Sequence, residues 1–297
     1  QMNVYTYTQS EVESDKSDRG LYMMEDQDGK SYYYRGSVTN NYVYFAGFYW
    51  RIIRQNGDGS IRLLYAGTSS NATETGVQIG TSAFNNQRIS PAYVGYMYGN
   101  TLNESYEKNV ANEVDSTIKK TIDNWYKTNI VDKGFSEYMK DSGFCNDRSL
   151  YLGNGINTGT SNTYGGQRRY NTYSPTLICP QQNDLFTVSN ADGNQALTYP
   201  IGLITIDEIM LAGFANGYIN KLSYVYTNSG YLTLSPRIFA AGEVSPQMFY
   251  VSHDGGANYA WVTTNFGVRP VINLASDVEI ESGIGTQNDP YVVKTTS

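Results

Sequence analysis

The chain has 297 residues and a formal net charge of −7, and 16 % of its residues are charged. This balance builds no basic stripe for nucleic acid and would be repelled by anionic lipid headgroups, so it argues against both as partners. The 28 tyrosines bring large apolar faces with polar tips, and with the low charge they are typical of a secreted or surface β-rich protein.

An extended arm is predicted for residues 1–20, ahead of a single domain over residues 21–297. Tyrosine and threonine alternate over residues 5–8, which favours a strand that pairs with its own sheet or with a neighbouring copy. The sequence has no apolar run of membrane-spanning length, and its first residues lack a signal-peptide pattern. We therefore expect no membrane span in this chain and infer an extracellular or cell-surface location from composition.

The strongest strand patterns follow the arm. Residues 21–36 predict a hairpin with Asp28-Gly29 in its turn. Residues 42–54 and 60–66 predict two further strands, and the Asn-Gly-Asp-Gly sequence between them supplies the positive-φ residues of a tight turn.

The middle of the chain is predicted to be helical and then irregular. Apolar residues recur at three- and four-residue spacing from Val110 to Tyr126, which predicts one amphipathic helix. A shorter helix is predicted from Asp132 to near Gly143. Residues 153–174 have almost no aliphatic side chains and predict a long surface loop.

A capped helix and a set of short strands are predicted for the last third. Thr205 and Glu208 have the spacing of a capping box, Ile204 and Ile209 that of a hydrophobic staple, and Gly217 is the expected stop. Short strands are predicted at residues 231–234, 248–252, 259–263 and 268–274 and in the tail. This order of elements predicts an α+β fold with a mainly antiparallel sheet, a few helices and long loops.

Cys145 and Cys179 are the two cysteines, and their 34-residue separation fits no zinc motif. They form either a disulfide, as the secreted character favours, or two free buried thiols. Two fragments match part of a calcium loop, but neither has the full ligand set, so we interpret both as turns: Asp26/Asp28 and Asn56/Asp58/Ser60. We expect no metal and no cofactor.

Several segments together resemble a family of largely uncharacterised extracellular domains of Gram-positive gut bacteria: YVYFAGFYWRIIRQNGDGSIRLLY, IDNWYKTNI, FCNDRSL, LTYPIGLITIDEIMLAG, YLTLSP, and GVRPVINL with GIGTQNDPYVV. The order of residues 203–213, 231–235 and 267–271 is also distantly similar to the formylglycine-generating-enzyme and C-type-lectin-like fold. The resemblance implies a compact fold whose long loops carry the binding surface. Some members carry a prepilin-type leader and helix, which implies attachment to a pilus-like or secretion apparatus.

The chain lacks the reactive cysteines of the formylglycine-generating enzyme and the calcium-binding triplets of sugar-binding C-type lectins. The formylglycine-generating enzyme uses two reactive cysteines near its final strands, and no cysteine follows Cys179 here. Sugar-binding C-type lectins hold calcium with Glu-Pro-Asn or Gln-Pro-Asp and Trp-Asn-Asp, and the chain contains none of these triplets. Neither the oxidase chemistry nor calcium-dependent sugar binding is therefore implied.

Catalysis finds little support in the sequence. His253 is the one histidine, and a general base would need a nucleophile and an orienting acid nearby, whereas no nucleophile motif is visible. A glycan-active hydrolase needs two facing carboxylates. Asp207 and Glu208 are better explained by the start of a helix. We therefore expect no catalytic residues.

The segment VSHDGGANYAWVTTNFGVRP is instead interpreted as a display loop, since amides and flat rings suit adaptable contact surfaces. Alternation predicts that Trp261 is buried with Tyr259 on the same face, whereas His253, Asp254 and Asn258 are exposed. Arg269 is expected to pair with a carboxylate or carbonyls beneath the loop. The candidate binding residues are Tyr250, His253, Asp254, Asn258, Tyr259 and Asn265.

Two functions follow as hypotheses. The first is a secreted or cell-surface, non-catalytic binding or adhesion module that contacts an extracellular protein or glycan. The second is a self-assembling subunit of a pilus-like extracellular fibre, linked to the next copy by residues 1–20.

Overall fold

The computed structural model of the chain describes residues 4–6, 20–189 and 193–296. Sheet outweighs helix, with 32 % strand and 18 % helix, which confirms the expected α+β class. The rest of the predicted arm, at residues 1–3 and 7–19, lies outside the described residues. The strands are, in chain order, β1 Val4–Thr6, β2 Leu21–Asp26, β3 Gly29–Tyr34, β4 Tyr42–Phe45, β5 Phe48–Gln55, β6 Ile61–Tyr65, β7 Thr81–Ser82, β8 Met97–Tyr98, β9 Val114–Asp115, β10 Phe144–Cys145, β11 Leu150–Leu152, β12 Asn162–Tyr164, β13 Leu185–Phe186, β14 Tyr231–Ala240, β15 Ser245–Val251, β16 Ala257–Trp261, β17 Phe266–Gly267, β18 Val271–Leu274, β19 Ile280–Ser282 and β20 Tyr291–Val293.

The larger sheet brings together strands from both ends of the chain. Its order is β1-β2-β3-β5-β4-β20-β19, and β6 lies between β5 and β18. Neighbours run antiparallel except for β1 beside β2 and β20 beside β4. The predicted first hairpin is confirmed as β2 and β3, but its two turn residues are Gln27 and Asp28, because Gly29 already pairs with Asp26. The strand of the arm thus pairs with its own sheet.

The smaller sheet has the order β11-β12-β14-β15-β16, with β17 on β14 and β7 on β17. β14 and β15 form its long antiparallel centre, from Tyr231 opposite Val251 to Ala240 opposite Ser245. β16 pairs antiparallel with β15 and ends this sheet among the described strands. Two pairs of short strands, β8 with β9 and β10 with β13, complete the strand pairing of the described chain.

Apart from a small cluster of Tyr22, Tyr33, Leu177 and Leu211, buried apolar side chains from both sheets and from the helices form one connected core. Tilted and edge-on ring contacts, the geometry that aromatic quadrupoles favour, join Phe48, Trp50, Tyr65 and Trp125 within it. The α-helices are α1 Tyr106–Asn109, α2 Thr117–Tyr126, α3 Gly165–Thr172 and α4 Ile206–Leu211.

Two irregular stretches differ from the sequence prediction. The strand predicted at residues 42–54 is broken by Ala46 (φ 54°) and Gly47 (φ 83°), which form a two-residue hairpin turn between β4 and β5. Two successive positive φ angles match the twist of a hairpin, whereas a continuous strand would not tolerate them. The loop predicted at 153–174 contains β12 and α3, because Tyr170 is buried against the core and stabilises a helix of weak formers.

The predicted helices are shorter than expected. α2 begins only at Thr117, where the side chain of Ser116 accepts a hydrogen bond from the Lys119 amide, and the preceding residues form β9. The helix predicted over 132–143 is wrong: the one helical turn in that range is a 3-10 turn over Ser136–Tyr138, and a π turn over Lys127–Val131 precedes it. α4 has the predicted capping box but ends at Leu211, ahead of Gly213 (φ 115°).

Cys145 and Cys179 form a disulfide, as predicted, which ties β10 to the loop that follows α3. No helix in the described part of the chain is long and apolar enough to cross a membrane. The disulfide is compatible with an extracellular protein, since disulfides persist in oxidising compartments.

Candidate functional site

The segment interpreted as a display loop, residues 251–270, contains the strands β16 and β17. Its first part is a tight turn between β15 and β16, hereafter the 253 loop (residues 252–256). The Ser252 amide donates to the Gly256 carbonyl at 2.8 Å, and the Asp254 carboxylate accepts from the Gly256 amide at 3.0 Å. Gly255 has a φ of 93°, and a Cβ there would meet the Lys221 side chain at 2.7 Å. The glycine therefore lets the turn lie directly on the neighbouring segment.

His253 and Asp254 are exposed on this turn, as predicted. The Tyr226 hydroxyl donates to the His253 carbonyl at 3.1 Å, but the imidazole makes no hydrogen bond or ion pair with any described residue. The Asp254 carboxylate accepts the Gly256 amide hydrogen bond that closes the turn. The arrangement therefore lacks the oriented base that acid–base catalysis requires.

The six candidate residues do not share one face. Tyr250 and Asn258 are opposite each other across β15 and β16, and the Tyr250 ring stacks on Phe266 with centroids 4.0 Å apart. Tyr259 points to the other side of the sheet, because successive residues of a strand alternate. Asn265 is exposed in the turn before β17. The candidate residues thus form two contact areas, one on each side of the sheet at β16.

The prediction that Trp261 is buried is wrong. Trp261 is 42 % exposed and Tyr259 is 48 % exposed, on the same side of the sheet. The residues opposite them on β15, Phe249 and Gln247, are buried. β16 is the edge strand, so no further strand of the described chain lies beside these rings to shield them. Which strand ends a sheet is a tertiary property that alternation along one strand cannot reveal.

Arginines from other segments cover the two rings. The Arg237 guanidinium carbon lies 3.6 Å from the Tyr259 centroid, and that of Arg88 lies 3.9 Å from the Trp261 centroid. Arg237 also donates to the Gln247 side chain at 2.7 Å, which fixes it over the ring. We call these four residues, Tyr259, Trp261, Arg88 and Arg237, the aromatic edge. Sequence reasoning missed the arginines, because only the strand register brings them to the rings.

Buried carboxylates were the other candidates for chemistry, and each is engaged by arginine. Glu208 Oε1 lies 2.5 Å from Arg62 Nε and 3.2 Å from Arg54 Nε, and Arg54 also pairs with Asp26 at 2.8 Å. Burial alone would raise the pKa of the Glu208 carboxyl, but Arg62 and Arg54 together hold it below its ordinary value. A carboxylate kept ionised in this way is not a general acid at neutral pH.

A second ion network adjoins the first. Arg169 pairs with Asp207 at 2.7 Å and with Asp147 at 2.6 Å. The cavity that these groups and the disulfide enclose measures about 40 Å³, which is room for water but not for a sugar ring. The geometry therefore supports a structural role for both networks, which join the larger sheet, α3 and α4.

The two calcium-like fragments act as turns. Asp26 accepts from the Asp28 and Gly57 amides and pairs with Arg54, so its oxygens are occupied. Asp58 accepts from the Ser60 amide at 2.9 Å and from Ser142 at 2.8 Å. Over the described ranges, no group of three or more histidine, cysteine or acidic side chains is placed to hold a metal ion.

The prediction for Arg269 is confirmed: it donates to the carbonyls of Tyr65 at 2.9 Å and Val225 at 3.3 Å.

Neither a protein-family model, nor a curated protein, nor a solved structure matches the chain.

Proposed function

We propose that the protein is an extracellular or cell-surface, non-catalytic binding module of C-type-lectin-like fold, related to extracellular domains of Gram-positive gut bacteria. The supporting observation is the aromatic edge, where two half-exposed rings of the edge strand β16 are each covered by a partly buried arginine from another segment. Tyr, Trp and Arg are the residues that most often dominate the energy of protein contacts. The ligand is an extracellular protein or glycan that packs against this edge.

The side chains of the aromatic edge are preorganised in the unbound protein. Each arginine is stacked on its ring, and Arg237 is additionally hydrogen-bonded, so binding would freeze few side-chain rotamers. The 253 loop is likewise fixed by its own backbone hydrogen bonds. A preorganised surface of this kind suits recognition without a conformational change.

The test compares binding of the labelled protein to a glycan array and to intact cells, before and after the double change Tyr259→Ala and Trp261→Ala. We expect the double variant to lose roughly 30-fold or more in apparent affinity, since truncated aromatic hot spots cost about 2 kcal/mol or more. Folding should be preserved, because both rings are exposed.

Tyr151→Ala is the matched control. Tyr151 is 50 % exposed and lies 4.9 Å from the Arg168 guanidinium, but on β11, at the opposite end of the smaller sheet from β16. Equal binding by the edge variant and the wild type would contradict the proposal. So would turnover of a glycan that is lost when a single acidic side chain is neutralised, because that result would restore the hydrolase hypothesis.

A fibre subunit is the second candidate: Val4–Thr6 pairs with its own β2, and exchange of this strand between copies would link them. This short strand adds in parallel to β2 at the edge of the larger sheet, where the arm of a neighbouring copy would find the same partner. Light scattering and negative-stain microscopy of the native material distinguish the two states. Filaments that disappear when residues 1–20 are deleted would support the fibre, whereas discrete monomers would oppose it.

A further inference from the structure

A second cavity lies beside the 253 loop. It measures about 490 Å³ and opens between β4, β5, the turn at residues 70–77 and the segment 224–228. Its volume falls in the range of small-molecule sites. Tyr226 belongs to its wall and donates its hydroxyl to the His253 carbonyl, so the cavity adjoins the 253 loop but shares no residue with the aromatic edge.

Two buried arginines, Arg51 and Arg269, line this cavity. Arg51 donates to the Asn41 side chain at 2.6 Å and to the Val38 carbonyl at 2.7 Å. Arg269 donates to backbone carbonyls and also contacts the Tyr231 side chain. Arginine has five N–H donors, so each guanidinium retains capacity for a further acceptor.

Arg51 and Arg269 differ from most other buried arginines in having no carboxylate beside them among the described residues. Four of them, Arg54, Arg62, Arg148 and Arg169, pair with a carboxylate at 2.8 Å or less. Neither Arg51 nor Arg269 has an ion-pair partner among the described residues; instead they lie over tyrosine rings, at 3.9 Å from Tyr42 and 4.8 Å from Tyr231. A buried charge without a counter-ion is unfavourable, which points to a ligand that supplies one.

Burial affects the pKa of both guanidinium groups, and the charge of Arg269 also affects that of Arg51. Burial, reinforced by the neighbouring Arg269, lowers the pKa of Arg51 to about 10, against the opposite effect of Tyr42 and Tyr224. Burial likewise lowers the pKa of Arg269. Both groups stay charged at neutral pH, and an anion between them would relieve the repulsion.

The remaining wall indicates what the anion is attached to. Tyr224 is buried, and its hydroxyl has no hydrogen-bond partner in the described chain. The rim is made of hydroxyl and amide side chains with one carboxylate: Ser70, Thr73, Glu74, Thr227, Asn228 and Gln287. Two cations and one carboxylate leave a single positive charge, which matches a monoanion better than a doubly charged phosphate.

We propose that this cavity binds a monoanionic acidic sugar of the uronic or sialic acid class, with its carboxylate held by Arg51 and Arg269. Arginine presents its N–H groups in a fork that fits a carboxylate, and the rim offers donors and acceptors for the hydroxyl groups of the sugar. The site is independent of the aromatic edge, because a partner can occupy either one alone.

The test is calorimetric titration at low salt with N-acetylneuraminic acid and glucuronic acid. Glucose and N-acetylglucosamine serve as neutral sugars, and inorganic phosphate and an acetylated dipeptide with a free C-terminal carboxylate serve as other anions. We expect the acidic sugars to bind and the neutral ones to bind roughly tenfold more weakly or worse, because a charge-assisted contact is lost. Failure of both acidic sugars to bind, or equal or tighter binding of phosphate or the peptide, overturns the proposal.

Three variants locate the binding. Arg51→Met should weaken acidic-sugar binding by roughly 10- to 100-fold, the effect of losing hydrogen bonds to a charged group. Ala72→Phe should abolish binding by filling the mouth of the cavity while leaving both charges in place. Tyr224→Phe should weaken binding without lowering the melting temperature, since it removes a hydroxyl that has no partner in the free protein.

Arg168→Met is the matched control, because Arg168 is also stacked on a tyrosine and lacks an ion pair, but is exposed on another face. It should leave sugar binding unchanged. If Arg51→Met unfolds, the other two variants decide the question. Acidic-sugar binding that survives Ala72→Phe and Tyr224→Phe, or that Arg168→Met reduces equally, overturns the assignment.

Discussion

Glu208 joins three parts of the molecule through one carboxylate. It completes the capping box of α4 by accepting from the Thr205 amide at 3.0 Å, and it pairs with Arg54 of β5 and Arg62 of β6. The capping role was predictable, because Thr205 and Glu208 are three residues apart. The ion pairs were not, because they depend on how the larger sheet packs against the helix.

Glu208→Gln should lower the free energy of unfolding by about 3–5 kcal/mol, because Arg62 is left buried without its counter-charge. Urea denaturation at pH 7 measures the change. The control is Glu279→Gln, which breaks an exposed pair with Lys294 and should have no measurable effect. Similar stabilities for the two variants would contradict the role given to Glu208.

Acid should weaken the fold through the same residue. The pKa of Glu208 is lower in the folded protein than in the unfolded chain, so its stabilising contribution is complete above the unfolded value and is lost as the pH falls. Urea denaturation from pH 7 to pH 3 should show stability decreasing below about pH 4.3, the ordinary glutamate value. Glu208→Gln should reduce this pH dependence, and an unchanged profile in that variant would assign the acid sensitivity to other groups.

At the scale of the element, the β4–β5 hairpin shows how a turn is selected by backbone geometry. Its two turn residues both have positive φ, and Gly47 has open space around its Cα. The turn was missed because its first residue is alanine, whereas sequence rules expect asparagine, aspartate or glycine there. A glycine preceded by alanine inside an apolar run gave too weak a signal.

Gly47→Ala isolates the backbone cost at this turn. The new methyl group would meet no atom within 4 Å, so the expected loss of about 1 kcal/mol is conformational alone. Gly242→Ala is the comparison, because it also has open space but lacks a left-handed φ, and it should change stability by less than about 0.5 kcal/mol. Thermal unfolding of both variants gives the two values, and equal losses would disagree with this account.

At the scale of the whole molecule, long-range pairing decides what the sequence could not predict. The disulfide was predictable because there are two cysteines, and the contacts of Arg269 followed from its position before a buried strand. Trp261 and α3 were misjudged for the opposite reason: the exposure of one and the helical state of the other depend on which distant elements pack beside them. Arg51 did offer a signal, a charged residue within the apolar run FYWRII.

The disulfide closes a loop of 34 residues, which includes α3 and ends beside the buried ion networks. Replacing both cysteines by alanine should cost about 3–4 kcal/mol in the chain-entropy model and lower the melting temperature. Calorimetry with and without reductant checks this. The wild type under reducing conditions should match the variant, and an unchanged melting temperature would show that the loop is held by its packing alone.

The three tryptophans differ in their exposure to solvent, so their intrinsic fluorescence can report on the surface at β16. Trp50 is fully buried and Trp125 packs against it, whereas Trp261 stands at the surface beneath a cation. A soluble quencher such as iodide should therefore quench Trp261 most strongly, the partly buried Trp125 less, and Trp50 least. Shielding of Trp261 would then report occupancy of the β16 edge without any attached dye.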